Sequence, residues 1–361
     1  MDKSLQKVAY IHARPHGHPI HEAYAQSLDP DRYFIDFALR WHDRQRPAIV
    51  RYLSWILCAL LFPKRRNYDV FYADGPVHFL ALMKYFGLIR KGQSIIFLMD
   101  DETLHFLHHG YYGPIASHTL KWILSKADGF ICVGYQQEVL LKEVCKTKSL
   151  IFRTIVNGIA DNRYEELNIL RPELSSNQII CIANVGDSDT RLKYKGLDYI
   201  PQILNQLRNK HLEVLVIGEV SIRIQQLLNA QIAPSSLPIK FVGKILDLST
   251  CLKTAFLSIH PARGESWGIS ILECMRAGVP VIVSTDTGAK QLVKTLGPSW
   301  VLPQECFARQ VDEFYESTFE DKVKISDRAR ALTQGFNFSE CTRTFNRSFW
   351  ELTQELRSQL T

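Results

Sequence analysis

The 361-residue sequence lacks an apolar run long enough to cross a membrane. Its longest apolar run, YLSWILCALLF at residues 52–62, has eleven residues, whereas a membrane-spanning helix needs about 20. The opening residues, MDKSLQKVAYIHA, also lack the apolar core of a secretory signal. We therefore expect a cytoplasmic protein.

The sequence also lacks the cysteine spacing of zinc sites and disulfide frameworks. Eight cysteines occur singly, none of them in a C-x-x-C pair, and most lie in apolar runs. This pattern predicts buried, reduced thiols, and it gives no reason to expect a metal or another cofactor. The eight positions are Cys58, Cys132, Cys145, Cys181, Cys251, Cys274, Cys306 and Cys341.

No long run of lysine and arginine is present, so we do not expect nucleic acid as a partner. The net charge of +6 instead favours small anions such as a nucleotide, a phosphate or a lipid headgroup. The basic residues near the run at 52–62 (Arg44, Arg46, Arg51, Lys64, Arg65 and Arg66) allow two interpretations. Residues 44–66 contain either a buried helix with solvated ends or a helix lying on an anionic membrane surface.

Short apolar strands alternate with helical segments in both halves of the chain. The strands KVAYIHA, DVFYAD, SIIFLMD and GFICVG in the first half, and QIICIANV, LEVLVIG and FLSIHP in the second, predict parallel α/β sheets. The length suits two domains, here two Rossmann-like domains facing each other across a cleft. We place a linker at 151–177, an N-terminal acceptor domain at 1–160 and a nucleotide-sugar domain at 161–335. The final helix, 336–361, is expected to return to the N-terminal domain.

The segment AFLSIHPARGESWGISILECMRAG carries the main candidate site. A strand ends near His260, and a helix begins near Gly268, so its free N–H groups can bind an anion where ligands of parallel sheets lie. Glu265 and Glu273 would repel a phosphate but can accept hydrogen bonds from hydroxyls. A nucleotide sugar offers both groups. The alternative is a solvated loop glutamate and a glutamate paired with a nearby cation.

The E-x7-E spacing of Glu265 and Glu273, within PARGESWGISILECMRAGVPVIVS, resembles that of retaining glycosyltransferases of family 4, which have the GT-B fold. Four further stretches are similar to that family in the same order along the chain: IVNGIADNRY, Lys195-Gly196-Leu197-Asp198, LVIGE and KFVGKI. The resemblance is dense over residues 155–295 and loose in the N-terminal half.

The resemblance implies a nucleotide-diphosphate sugar as donor and a role for each matching residue. Glu273 would bind the ribose hydroxyls, and Glu265 would hold the donor sugar. Lys195 would neutralise the departing diphosphate. The remaining donor contacts would come from the backbone at Trp267, Gly268 and Ile269, and, beside the base, from Gly243 and Lys244.

The stretch NVGDSDTRLKYKG departs from the family pattern, which has an arginine after the glycine where this chain has Asp187. Arg191 is the nearest cation that could replace it. The same stretch contains a D-x-D sequence, Asp187-Ser188-Asp189, of the kind that binds metal in the other glycosyltransferase fold. Carboxylates in polar turns more often cap the backbone, and we favour that interpretation.

In the N-terminal half, FLMDDET ends a strand where related enzymes carry a histidine or an acid near the donor sugar. Asp100 matches that position, although Asp100 or Asp101 could equally cap the next helix. Gly17 matches a glycine loop that a donor or acceptor phosphate can approach. Its neighbours His16 and His18 could contact the acceptor, and the histidine spacing does not favour a metal site.

The sequence thus predicts a retaining, metal-independent transferase that moves a hexose-type sugar to a glycan or lipid-linked acceptor. It would be cytoplasmic, with peripheral contact to the inner face of the membrane through residues 44–66. The altered loop after Gly186 leaves open a non-catalytic subunit that binds sugar nucleotides. A GT-B epimerase shares the fold but not the E-x7-E loop.

Overall fold

The computed structural model describes residues 6–12, 19–34, 48–61, 67–145 and 150–360. The chain forms two compact units. Unit 1 consists of Met1–Asn157 and Cys341–Thr361, and unit 2 consists of Gly158–Glu340. Each unit is built around a six-stranded sheet in which the paired strands are parallel.

The sheet of unit 1 has the strand order β2-β1-β3-β4-β5-β6. Its strands are β1 (Val8–His12), β2 (Asp31–Phe34), β3 (Val70–Asp74), β4 (Ser94–Met99), β5 (Gly129–Val133) and β6 (Ile151–Ile155). Its helices are α1 (Pro19–Gln26), α2 (Ala48–Leu61), α3 (His78–Tyr85), α4 (Thr103–His108), α5 (Pro114–Leu124), α6 (Tyr135–Val144) and α16 (Phe338–Leu360).

The core of unit 1 contains residues from the far end of the sequence. Strands β3 and β4 are apolar and almost fully buried, as parallel strands covered on both faces must be. Phe345 and Phe349 of α16 are fully buried. The ring of Phe345 stacks on Tyr24 with centroids 5.0 Å apart, and Phe349 meets Tyr72 edge-on at 5.4 Å. Helix α16 therefore completes this core.

The sheet of unit 2 has the order β12-β11-β10-β7-β8-β9. Its strands are β7 (Gln178–Ile182), β8 (Glu213–Ile217), β9 (Lys240–Gly243), β10 (Ala255–His260), β11 (Val281–Ser284) and β12 (Val301–Leu302). Its helices are α7 (Asp161–Ile169), α8 (Asp189–Tyr194), α9 (Ile200–Gln206), α10 (Ile222–Asn229), α11 (Ser249–Thr254), α12 (Ile269–Arg276), α13 (Lys290–Val293), α14 (Phe307–Glu316) and α15 (Phe319–Leu332).

The α/β class with parallel sheets is confirmed, but the stretch interpreted as a linker is structured. Residues 151–177 contain both β6 and α7, and the division between the units falls between Asn157 and Gly158. Helix α7 is polar on average, so its sequence shows little apolar periodicity. It nevertheless buries Tyr164 and Leu167.

The described residues contain neither a candidate membrane span nor a disulfide bond, in a chain for which the sequence predicts neither. None of its described helices combines the length and the apolar composition needed to span a membrane. The seven cysteines whose side chains are described, which leaves out Cys58, form no disulfide bond. Burial raises the pKa of Cys132 and of Cys251 above the usual value for a thiol, so both stay protonated at neutral pH.

Gly196 fixes how closely the end of α8 approaches the loop after β10. Its φ is +69°, in the left-handed region that glycine adopts most readily. A Cβ built on Gly196 would lie 2.0 Å from the carbonyl oxygen of Pro261. This oxygen belongs to the backbone, so it cannot rotate away as a side chain would. Only glycine allows the two segments to lie this close together.

We expect Gly196→Ala to lower the free energy of unfolding by about 3 kcal/mol, combining left-handed strain with steric overlap. Gly186→Ala is a matched control, because Gly186 has a similar φ of +61° but no atom within 4 Å of a built Cβ. This control substitution should lower the free energy of unfolding by about 1 kcal/mol. Urea denaturation measures both values, and equal losses would contradict the proposed overlap with Pro261.

Candidate donor site

A cavity of about 330 Å³ lies at the carboxyl ends of four neighbouring strands of unit 2. The strand order reverses between β7 and β10, and ligands of open parallel sheets bind at such a point. The loops after β7, β8, β9 and β10 line the cavity. The lining residues are Ile182, Ala183, Asn184, Arg191, Lys195, Ile217, Gly218, Lys244, Ile245, Leu246, Leu248, Glu265, Gly268, Ile269 and Ser270.

A short ion pair joins two walls of this cavity. Lys195 Nζ, at the end of α8, donates to Glu265 Oε2 at 2.6 Å. Both side chains are about 15% exposed. The buried His260 at the end of β10 places Nε2 3.4 Å from the same oxygen. The sequence motif predicted Glu265 and Lys195 as site residues, and the fold brings them into direct contact.

The ion pair sets the charge of Glu265. Burial by itself raises the pKa of this carboxyl group, but the Lys195 ammonium and the His260 ring outweigh burial and hold the pKa well below its usual range. Glu265 is therefore ionised throughout the physiological pH range. An ionised carboxylate is a pure hydrogen-bond acceptor, which suits it to hydroxyl groups.

Helix α12 begins at the floor of the cavity. Gly268 precedes it with φ +87°, and the residues that follow, Ile269 and Ser270, belong to the lining. The first N–H groups of a helix have no partners within the helix and attract anions. Trp267 differs from its neighbours, because its buried side chain stacks on Phe336 with centroids 6.0 Å apart. Its indole holds the loop against the core of unit 2.

Cations outnumber anions around the cavity. Arg191, Lys195 and Lys244 line it, and Glu265 is the one acidic side chain among the lining residues of the described chain. Arg191 lies near the Asn184 carbonyl oxygen, with Nη2 at 3.3 Å. Gly243 lies just before Lys244 at the end of β9, where its carbonyl oxygen accepts a hydrogen bond from Gly218. This balance of charge favours a diphosphate.

Glu273 lies one turn beyond Ser270 on α12, outside the set of lining residues. It pairs with a cation, as the alternative interpretation of the sequence held, but the sequence did not identify that cation. The Nε atom of Arg163 on α7 is 3.7 Å from Glu273 Oε1. Burial raises the pKa of Glu273, and Arg163 offsets that rise only in part. Arg163 follows the matched N-G segment in IVNGIADNRY, which was the one signal that could have drawn attention to it.

The D-x-D sequence forms surface ion pairs. Asp187 accepts from the Ser221 hydroxyl at 2.6 Å and from Arg223 Nε at 2.9 Å, and Asp189 accepts from Arg223 Nη2 at 2.9 Å. Ser188 caps α8 by accepting from the Arg191 amide. These contacts give each member of the D-x-D sequence a structural partner, as expected for a polar turn.

Asp100 lies in unit 1, at the carboxyl end of β4, and faces His21 rather than the following helix. His21 Nδ1 is 3.2 Å from Asp100 Oδ2 and 3.4 Å from Asp74 Oδ1. Asp101 takes the capping role, since it accepts from the Thr103 amide at 3.0 Å at the start of α4. Of the two interpretations offered for this pair of acids, the capping one holds for Asp101.

His21, Asp74 and Asp100 together form the one group of possible metal ligands found within the described residues, with ligand atoms at most 4.8 Å apart. Their spacing would also suit a shared proton, because one imidazole nitrogen faces two carboxylates. Gly17, His16 and His18 lie outside the described residues.

Comparison with known proteins supports the enzyme class. Residues 177–317, which lie in unit 2 and include every residue lining the cavity, match the family model described as glycosyl transferases group 1. The prediction of a glycosyltransferase is confirmed. No curated protein sequence matches the chain.

Solved structures show the same architecture over nearly the whole chain. HepE of Anabaena in complex with UDP has a TM-score of 0.69 at 15% identity, covering 96% of this chain and 100% of HepE. Sucrose-phosphate synthase of Thermosynechococcus elongatus has a TM-score of 0.68 at 16% identity, covering 97% and 100%. WaaG, a glycosyltransferase of lipopolysaccharide biosynthesis, has a TM-score of 0.64 at 15% identity, covering 94% and 99%. The GT-B fold is confirmed.

We expect Lys195→Met to destabilise the protein by about 2–3 kcal/mol at pH 8, because it leaves Glu265 charged, largely buried and without its cation. In this variant the pKa of folded Glu265 rises above its unfolded value, so protonation restores stability as the pH falls toward 5. In the wild type the pKa of folded Glu265 is depressed. Its contribution to the free energy of unfolding is therefore complete above pH ~4.5 and is lost only in stronger acid.

Urea denaturation of both proteins between pH 5 and pH 8 tests this difference. The double variant Lys195→Met/Glu265→Gln should recover at least half of the loss, because no unpaired charge remains. A pH-independent loss, or a double variant no more stable than the single one, would show that the ion pair does not determine stability here.

Proposed function

We propose that the protein transfers a sugar from a nucleoside diphosphate to a glycan or lipid-linked acceptor with retention of anomeric configuration. The observation that carries this proposal is the short Lys195–Glu265 ion pair in a cationic cavity, beside the start of α12. This pair places a carboxylate that can accept hydrogen bonds from hydroxyl groups next to an ammonium group that can bind phosphate. Relatives of the same fold support the donor class, since HepE was solved with UDP and with UDP-glucose.

In this proposal, each part of the cavity takes one part of the donor. The diphosphate lies against Lys195, Arg191 and the first N–H groups of α12, the sugar hydroxyls donate to Glu265, and the nucleoside extends toward Lys244. A donor of this kind carries negative charge on the diphosphate only, which matches three cations beside one carboxylate. Gly268 leaves room for the phosphate to approach the backbone.

The reaction follows from these positions. The bond from the anomeric carbon to the diphosphate oxygen breaks while the acceptor oxygen forms its bond on the same face of the sugar. The acceptor proton passes to the departing diphosphate. Lys195, Arg191 and the amides of α12 stabilise the negative charge that develops on the leaving group, and such fixed donors are the largest source of catalysis in many enzymes. Because these groups supply the positive charge, we propose that transfer is independent of metal.

We assign acceptor binding to unit 1, the unit that contains the predicted acceptor residues. Asp100 lies at the carboxyl edge of a parallel sheet, the edge where such sheets bind ligands. Its side chain is about 20% exposed beside the buried His21. A carboxylate there can orient an acceptor hydroxyl or a hydroxyl of the donor sugar. Gly17, which is outside the described residues, stays a predicted contact for a donor or acceptor phosphate.

Acceptor-free hydrolysis of the donor should release a sugar with the same anomeric configuration as the donor, as read by proton NMR before mutarotation. Glu265→Gln should lower kcat by about 100-fold or more, since it removes a charged contact to the reacting sugar. Asp187→Asn, which alters surface contacts with Ser221 and Arg223, should retain activity. Release of the opposite anomer would refute the retaining mechanism, and full activity of Glu265→Gln would refute the role of Glu265.

We further propose that α2 lies on an anionic membrane surface at the cytoplasmic face. Helix α2 packs against α3, yet Ile49, Leu53, Leu57 and Leu60 are 49–68% exposed along one stripe of the helix. The stripe has the spacing of one helical face, and the helix is about 21 Å long. The basic residues that flank it in sequence lie outside the described residues or side chains, but their charge suits acidic headgroups.

Sedimentation with anionic vesicles should bring down the wild-type protein at low salt, with less bound as salt rises and little bound to zwitterionic vesicles. Leu53→Gln/Leu57→Gln should weaken binding at least tenfold, because burial of two leucines contributes about 3 kcal/mol or more. Ile115→Gln, at a 77% exposed site on α5, is the control. Equal sedimentation of all three proteins would exclude α2 as the contact surface.

A further inference from the structure

We propose that Arg163 is a positioning residue for the nucleoside end of the donor, a role that rests on the proposed function. Arg163 lies on α7, outside the cavity, and its side chain is 15% exposed. A single guanidinium on this helix contacts two elements that line or adjoin the cavity. These are α12, which carries Glu273, and the loop after β9, which begins at Lys244.

The first contact controls the charge of Glu273. Arg163 Nε lies 3.7 Å from Glu273 Oε1, too far for a hydrogen bond but close enough for an ion pair. The guanidinium therefore favours the carboxylate form against the effect of burial. Within the described part of the chain, no hydrogen bond uses the oxygens of Glu273. Both oxygens remain available to accept from two neighbouring hydroxyls, such as those of a ribose.

The second contact anchors the loop. Arg163 Nη1 donates to Asp247 Oδ1 at 2.9 Å and to the Ser249 hydroxyl at 2.8 Å. Asp247 in turn accepts from the Ser249 amide at 2.8 Å at the start of α11. The loop residues on either side of Asp247, namely Ile245, Leu246 and Leu248 with Lys244, line the cavity. Losing this anchor would release the wall of the cavity that faces the base.

Arg163 does not use all of its nitrogen atoms for hydrogen bonds within the protein. Its Nη2 atom is buried and has no hydrogen-bond partner, an arrangement that is costly for a guanidinium. A shift that brings Glu273 closer would let Nε and Nη2 bind the carboxylate as a fork. The observed geometry instead leaves the carboxylate open, as a site for hydroxyl binding requires.

The helices themselves do not depend on Arg163. Arg276 of α12 stacks on the ring of Tyr164 of α7 at 3.6 Å, and its Nε donates to the Tyr164 carbonyl oxygen at 3.3 Å. This second link keeps α7 on α12 when Arg163 is replaced. Arg163 variants should therefore fold, and their effects can be attributed to the site.

Arg163→Met should raise the Kd for UDP, measured by titration calorimetry at pH 8, by roughly tenfold, the equivalent of one charge-assisted hydrogen bond. In turnover assays KM for the donor should rise while kcat changes little. Without Arg163 the pKa of Glu273 rises further, so UDP affinity should begin to fall at a higher pH than in the wild type as the solution is acidified.

The pKa of Asp247, the other carboxyl group held by this guanidinium, is shifted in the direction opposite to that of Glu273. Asp247 and Glu166 contact the same guanidinium, and the pKa of Asp247 is lowered by its hydrogen bonds from Ser249 and by Arg163. The neighbouring Cys274 stays neutral, because burial raises its pKa to about 12. The shift of the pH profile therefore reports Glu273.

Two further variants separate the two contacts. Arg163→Lys should restore the wild-type pH profile but only part of the affinity, because one ammonium cannot serve both Glu273 and the loop. Asp247→Asn should weaken binding without moving the profile. Arg171→Met is the matched control, since Arg171 is exposed and donates to the carbonyl oxygens of residues 168 and 170.

Unchanged UDP affinity and pH profile in Arg163→Met would overturn this role while leaving the proposed function intact. A weaker affinity with an unshifted profile would overturn the charge effect on Glu273. If the wild-type protein bound none of UDP, GDP and ADP, the proposed function would fail, and the role of Arg163 with it.

Discussion

The donor pocket depends on the ion pair between Lys195 and Glu265. The two residues come from different loops at the carboxyl edge of the unit 2 sheet, and their contact requires α8 to end directly against the backbone after β10. Gly196 makes that approach sterically allowed. The pair then fixes a cation and an ionised acceptor side by side before any ligand arrives, so that neither group has to be reorganised on binding.

A second ion pair, Arg163–Glu273, has the opposite character. The Lys195–Glu265 pair is short and outweighs burial, whereas the Arg163–Glu273 pair is long and leaves the pKa of Glu273 above its usual range. Glu265 is held in a short ion pair, whereas the oxygens of Glu273 stay available to accept hydrogen bonds. In the proposed function, the Lys195–Glu265 pair holds the sugar and the diphosphate of the donor rigidly. The Arg163–Glu273 pair holds the nucleoside end through a contact that can adjust.

The sequence supported a correct fold class and pointed to the four charged residues that line the cavity, because apolar strands and the glycine before α12 are local signals. It could not show Arg163 as a partner of Glu273, since that contact joins α7 to a distant helix and α7 lies where the pattern indicated a linker. Nor could spacing decide between Asp100 and Asp101. Backbone geometry at the start of α4 turns one toward Thr103 and the other toward His21.

The position of α16 in the core of unit 1 has a consequence for biosynthesis. Phe345 and Phe349 fill space beside Tyr24 and Tyr72, so unit 1 has no complete interior until the residues after 340 have left the ribosome. Unit 2, whose residues are contiguous, can finish folding first. The N-terminal part of unit 1 therefore keeps its apolar strands exposed until α16 has been synthesised. Chaperones would be needed most during this interval.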